Sequence, residues 1–332
     1  MASRIDRRKQ KSGKRKVLKR TLMIISVLFF SLVGYVGWQY YSGLNQAKPS
    51  KALETDYEFN APEQKVEGKY NVLMLGVDAR EGEEHSRTDT IMIAQYDTDT
   101  EKAKLVSIMR DSYVEIPGYG MNKINAAFFH GGPELLRKTI KQNFGVDVHY
   151  YAIVDFKGFE QIVDTIAPNG IEIDVEKHMS YNIGVSLEPG LQRLNGKELL
   201  GYARFRHDLR GDFTRVERQQ KVISKVKDEF TSLYGVSKLP KVIGTVQPYI
   251  DTNMKTWTAI GIAKDIMLNK GDIETMKIPV KNGFSETSVP RAGAILQLDF
   301  EENSQALQEF LGAKTSQYTS NAGANEAAEQ NN

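Results

Sequence analysis

Short apolar runs separated by helical patterns predict an α/β domain with a mixed sheet, preceded by one hydrophobic segment near the N-terminus. Three observations carry this. Asn71–Val77 (NVLMLGV) is a nearly continuous apolar run, as a strand buried on both faces requires. Thr90–Tyr96 and Lys104–Met109 flank Asp97–Thr98–Asp99–Thr100, a turn signal that makes the pair a hairpin. Helical stretches recur between the later strands, so crossover connections join the hairpins and the sheet is mixed.

The chain begins with a basic tail over residues 1–20, where ten Lys/Arg stand against Asp6 alone. Residues 21–41 then carry no charge. At about 1.5 Å per residue this run spans roughly 30 Å, the thickness of a bilayer's hydrocarbon core. Trp38, Tyr40 and Tyr41 close it, where amphipathic rings favour the membrane interface. The Lys/Arg excess predicts a cytoplasmic N-terminus and a single-pass type II topology. A cleaved signal peptide is the competing reading; the length of the run and the lack of an A-x-A site weigh against it. Residues 42–69, polar and holding Pro49 and Pro62, read as an extracytoplasmic stalk.

The folded domain is expected over residues 70–314. After the three strands above, Pro133–Asn143 reads as a helix with Leu135, Leu136 and Ile140 on one side. Tyr150–Asp155 is a strand, Phe156–Thr165 a helix and Ile171–Val175 a strand. Gly196–Phe205, Thr214–Leu233 and Trp257–Leu268 are helical, and Glu274–Pro279 is a further strand. Residues 315–332 are rich in Ser, Asn, Ala, Glu and Gln and are expected to be disordered.

The net charge of +2 hides an asymmetry, since residues 21–332 hold 34 bases against 41 acids, a net of −7. An acidic domain without a helix-turn-helix pattern argues against nucleic acid as a partner, and a basic juxtamembrane cluster fits anionic membrane lipid instead. The absence of cysteine excludes disulfides and thiol chemistry.

Polar clusters follow the ends of apolar elements. Asp78 ends the first strand, Arg87 and Asp89 lie two apart in SRTDT, and Arg110 and Asp111 end the third strand. The densest group, YARFRHDLRGDFTRVERQQ, holds Arg204, Arg206, Arg210, Arg215 and Arg218, with Asp208, Asp212 and Gln219 among them. Arg215, Arg218 and Gln219 lie at i, i+3 and i+4, on one helical face. Guanidinium forks suit phosphate oxygens, and two acids among them could hold a Mg²⁺ that neutralises a diphosphate. A solvated ion-pair surface explains the same composition. The five histidines show no metal-ligand spacing and read as incidental; GxxxxGK[ST] and GxSxG are both absent.

The segments NVLMLGVDAR, RTDTIMIAQYD, VSIMRDSYVEIPG, KINAAFFHGG, LNGKELLGYARFRHD and GDFTRVERQQ, in this order, resemble the LytR-CpsA-Psr family of cell-envelope proteins from about Tyr70 to Phe230. The resemblance implies a three-layer α/β/α sandwich with a groove for a polyprenyl chain, which the apolar residues of Asn122–Ala167 are expected to line in part. It implies a phosphotransferase of a Gram-positive-type envelope that moves a glycopolymer (wall teichoic acid, capsule or a related polymer) from an undecaprenyl-diphosphate carrier to peptidoglycan. It implies Mg²⁺, with Mn²⁺ as a substitute, at Asp78 and Asp89. Arg87, Arg110, Arg204, Arg206, Arg215 and Gln219 match diphosphate positions, and Arg218 falls within the same motif. Asp89, Arg110 and Arg206 are the expected catalytic groups, Asp89 taking the proton of the acceptor hydroxyl while Asp78 carries the metal, or the reverse. Met109 stands where a proline is common and Thr214 where a glycine is common, which bears on local backbone shape. Two alternatives remain open: a non-catalytic binding or regulatory protein of the envelope, and a lipid-diphosphate hydrolase.

Overall fold

The computed structural model describes residues 4–45, 57–61, 68–77, 88–208, 211–233, 239–268 and 271–312, with side chains from residue 19 onward. The predicted elements occur where expected: strands β1 (Lys69–Val77), β2 (Thr88–Asp97) and β3 (Lys102–Ile108) include the hairpin. Strands β4 (Ser112–Ile116) and β5 (Gly120–Lys123) follow, and then helix α2 (Asn125–Phe144), α1 (Arg4–Leu44) having opened the chain. Next come β6 (Tyr150–Asp155), α3 (Phe156–Ile166), β7 (Ile171–Val175), β8 (Gly190–Leu194), α4 (Gly196–Arg204) and α5 (Asp212–Leu233). The chain continues through α6 (Leu239–Val246), β9 (Asp251–Thr252), α7 (Thr256–Leu268), β10 (Ile273–Ile278), β11 (Phe284–Val289), β12 (Gly293–Leu298) and α8 (Phe300–Leu311).

The central sheet has the order β10-β3-β2-β1-β6-β9 and is mixed: β1 pairs antiparallel to β2 and parallel to β6. Alternation along the strands separates two faces. Leu73, Leu75, Ile91, Ile93 and Val106 pack with Leu136 and Phe144 of α2 and Leu307 of α8 into the main core. Val72, Met74 and Ala94 point the other way, toward α5, α6 and α7. Helices thus cover both faces. A second sheet, β11-β12-β4-β5, closes one end, and β7 and β8 form a separate ribbon.

Local chemistry sets several boundaries. Asp155 caps α3, accepting from the Gly158 backbone N–H at 2.5 Å, and Asn195 with Glu198 forms a capping box on α4. The helix expected from Pro133 starts earlier, at Asn125, but breaks at Gly131–Gly132 before resuming at Pro133. Gly132 has φ +59°, and a Cβ there would lie 2.7 Å from the Tyr57 ring.

That contact corrects the expected stalk. Tyr57 packs on Phe128 and Tyr151, and the Arg137 guanidinium lies over the Phe59 ring, so residues 57–61 belong to the folded domain. The anchor also extends beyond its expected end. The stretch Lys19–Leu44 is long and apolar enough to cross a membrane, and α1 continues to a close crossing with α6. A Cβ on Gly43 would lie 2.2 Å from the Lys241 carbonyl, and one on Gly244 2.3 Å from the Tyr40 carbonyl. Two glycines facing each other's backbone permit this approach, and Tyr40 Oη donates to Gln247 Oε1 at 2.6 Å. The expected disordered tail lies outside the described residues.

Candidate functional site

Helix α5 organises the site. Arg215 and Gln219, one turn apart near its N-terminus, line a cavity of about 440 Å³. Asp89 from the start of β2, Arg204 from the end of α4 and Arg206 just beyond it complete the charged wall. Asp212 in the first turn of α5 ties the arginines together. Arg206 donates to its Oδ1 through Nη2 at 2.6 Å and Nε at 3.1 Å, and Arg215 donates to Oδ2 at 2.8 Å. Arg215 also reaches the Asp89 carbonyl at 3.2 Å. Arg110 forms a short ion pair with Asp89 and lies 3.5 Å from Asp111, which Lys123 holds at 2.8 Å. The Arg204 guanidinium lies over the Phe156 ring, 4.1 Å from its centre.

Four guanidiniums (Arg110, Arg204, Arg206, Arg215) and Lys123 therefore gather around three carboxylates (Asp89, Asp111, Asp212), a surplus of positive charge. Arg215 is 3% exposed. Burial pushes its pKa down, Asp212 opposes this, and Arg206 and Arg110 push further, to about 10. It remains a cation at neutral pH. Burial works against the charge of Arg110 as well, but Asp89, Asp111 and Asp212 outweigh it and hold its pKa above the usual value. Such a cluster is built to receive an anion with several oxygens.

The structure brings Asp89, Arg110, Arg204, Arg206, Arg215 and Gln219 together. Arg218 is corrected: its guanidinium turns away, pairing with Asp208 at 2.7 Å, donating to the Phe205 carbonyl at 3.1 Å and lying over Tyr202. It holds α5 against α4 and the Phe205–Asp208 segment. Asp78 and Arg87 lie outside the described residues. Five residues that sequence motifs did not assign also line the cavity: Thr90 of β2, Phe156 of α3, Tyr181 and Asn182 from the loop after β7, and His207, whose ring lies 4.9 Å from that of Tyr181. Asp212 had one available signal, its i,i+3 spacing to Arg215.

The face of α5 that carries Arg215 and Gln219 continues as Ile223, Val226 and Phe230. These line a second, apolar cavity of about 480 Å³ between the sheet and α5, α6 and α7. Of the span Asn122–Ala167, expected to border an apolar groove, only Ile166 reaches this cavity, because α2 packs on the opposite face of the sheet.

Among the described residues no cluster of three or more His, Asp or Glu could hold a metal by itself. Asp89 is the carboxylate that lines the anion cavity; Asp78, the other acid expected at a metal, lies outside the described residues. One or two hard oxygen donors beside an anion site fit a Mg²⁺ that takes its remaining ligands from phosphate and water.

Residues 36–309 match the LytR_cpsA_psr family. The chain is 46% identical over 286 residues to "Regulatory protein MsrR" of Staphylococcus aureus, covering 84% of this chain and 85% of that protein. It is 29% identical over 304 residues to the "Polyisoprenyl-teichoic acid–peptidoglycan teichoic acid transferase TagU" of Oceanobacillus iheyensis, covering 86% and 91%. In fold it resembles the crystal structure of Bacillus subtilis TagV, with a TM-score of 0.64 and 24% identity over 75% of this chain and all of that one.

Proposed function

Because the chain belongs to the LytR-CpsA-Psr family, we propose that it is a membrane-anchored phosphotransferase that moves a glycopolymer from a polyprenyl-diphosphate carrier to peptidoglycan. One observation carries the reading: a cationic cavity and an apolar cavity share one face of α5, matching the headgroup and tail of a lipid diphosphate. The teichoic acid transferase activity for which TagU is named supports it. The basic tail is cytoplasmic and the domain lies outside the membrane.

In this mechanism Arg204, Arg206 and Arg215 bind the diphosphate, and Arg110 orients Asp89. An acceptor hydroxyl attacks the phosphorus that bears the polymer. A new P–O bond forms to the acceptor, the bond to the bridging oxygen breaks, and undecaprenyl phosphate leaves. The hydroxyl proton passes to Asp89. Asp78 and Asp89 are the acids that would hold Mg²⁺, with Asp78 as its principal ligand; the ion would neutralise charge on the diphosphate. The arginines are already positioned for the charge that develops in transfer, so little reorganisation accompanies the step.

The test is reconstitution of the full chain in liposomes with a lipid-diphosphate donor, peptidoglycan oligomers and Mg²⁺. Wild type should yield a covalent polymer–peptidoglycan product. Arg206→Ala should lower kcat by about 10²-fold or more, the scale of losing a transition-state charge contact. Asp89→Asn should abolish turnover while Mg²⁺-dependent donor binding persists; Asp78→Asn should lose that dependence. Free polymer phosphate would instead identify a hydrolase. Unchanged donor would identify a binding protein, the reading that the regulatory name of MsrR favours.

A further inference from the structure

A third cavity, of about 890 Å³, opens at the N-terminus of α5. Gly211, Asp212 and Phe213 form one wall, the segment from Lys277 through Lys281 another, and β11 and β12 the floor. We propose that this cavity is the binding site for the acceptor, a carboxylate-bearing amino-sugar glycan, so that nucleophile and carrier lipid enter from opposite ends of α5. This rests on the transferase reading and assigns that reaction's second substrate to a place.

Position is the first argument. Along α5 the three cavities follow in order: residues 211–213 border the third, Arg215 and Gln219 the cationic one, and Ile223, Val226 and Phe230 the apolar one. At about 1.5 Å per residue, Phe213 and Phe230 lie roughly 25 Å apart along the axis. Phosphoryl transfer places attacking and leaving oxygens roughly in line across phosphorus. A leaving group whose tail occupies the apolar cavity therefore requires its attacker from the N-terminal end. Asp212 is the partition: both its oxygens bind arginines of the cationic cavity while the residue lines the third. Asp111 also lines the third cavity and sits beside Arg110.

Lining chemistry is the second argument. Phe213 and Phe284 stand 5.3 Å apart, tilted by 32°, and Ile295 and Leu296 extend this apolar floor. Asp111, Glu286, Lys277 and Lys281 surround it. Apolar patches edged by donors and acceptors match sugar rings, which expose C–H faces and hydroxyl edges; Lys281 adds a partner for a carboxylate, while Lys277 is held by Glu217 at 2.7 Å. The volume is about twice that of the cationic cavity, room for more than one ring.

Thr287 and Lys281 are exposed and can be changed without disturbing the core. Thr287→Trp would project a ring into the cavity, and Lys281→Glu would reverse a charge on its wall. Binding of a soluble N-acetylglucosamine–N-acetylmuramic acid tetrasaccharide with stem peptides would be titrated on full-length, donor-loaded protein, alongside transfer kinetics and melting temperature. Both variants should keep the wild-type melting temperature and donor KM, while the acceptor KM rises about tenfold or more and saccharide binding weakens in parallel. Unchanged saccharide affinity in both variants, or no saccharide binding by wild type, would overturn the site. A wild type that forms product while both variants keep its acceptor KM would remove the site and leave the transferase reading intact. Saccharide binding that both variants lose, without product in wild type, would do the opposite.

Discussion

Arg215 and Arg218 stand three residues apart on one helix and are each 3% exposed, yet one faces the anion cavity and the other serves the fold. The acid each meets decides this: Asp212 holds Arg215 at the cavity, whereas Asp208 draws Arg218 toward Phe205 and Tyr202. Arg218→Ala should therefore destabilise the domain by about 2 kcal/mol, since it removes one of the two cations that hold Asp208 and the donor to the Phe205 carbonyl. Arg206→Ala, at a side chain 41% exposed, should change stability by only about 0.5 kcal/mol or less. Urea unfolding of both variants checks this. Burial opposes the charge of Asp208, but Lys177 and Arg218 outweigh it and hold its carboxyl below the ordinary value. A group whose folded pKa is lowered stabilises above its unfolded pKa and loses that contribution as pH falls through the folded value. The stability gap between wild type and Asp208→Asn should thus be full at pH 7, persist to about pH 4 and close below it. The number of arginines was legible in the sequence; their division between site and scaffold was not, because partners such as Asp208 and Tyr202 are joined only by tertiary packing.

Among the elements, α5 carries the most function, because its one face lines both the cationic and the apolar cavity. Its polar-to-apolar face makes a test: Ile223→Asp should lower transfer from an undecaprenyl donor by about tenfold or more through a charge set in apolar surroundings. A short-chain soluble donor should be used nearly as well as by wild type, and comparing kcat/KM for the two donors checks this. The buried strands β1, β2 and β3 and helices α3, α4 and α5 could be read from their apolar period, with caps adding to it at α3 and α4. Helix α8 could not. Its sequence FEENSQALQEFL is polar, yet Asn303 and Gln308 are buried, donating to the Gly283 and Phe144 carbonyls at 2.6 and 2.9 Å. Helix α6 is only eight residues long with an internal glycine, and that glycine exists for the crossing with α1. Strand β4 has its parallel partner β12 far along the chain, beyond any local signal.

At the scale of the molecule, the anchor is gripped by the domain it carries. Lys241, Gly244 and Thr245 of α6 face α1, while Val242, Ile243 and Val246 of the same helix line the apolar cavity. Gly244→Leu would force the Tyr40 backbone away. It should reduce transfer from donor embedded in liposomes severalfold while leaving a detergent-solubilised short-chain donor unaffected; equal rates on both substrates would mean that the crossing does not position the cavity. An anchor and a separate domain could be read from the sequence, but their joint could not, since a lone glycine carries no sign of what approaches it. Among the described residues one helix, about 10 Å across, stands between anchor and cavity, so the isoprenoid of the proposed donor would pass from one hydrocarbon medium to another. Exposure to water would cost about 0.8 kcal/mol for each methylene. On the proposed function, carrier turnover would be a two-dimensional process: the spent lipid would slide sideways into the leaflet, its release set by lateral motion and not by solubility.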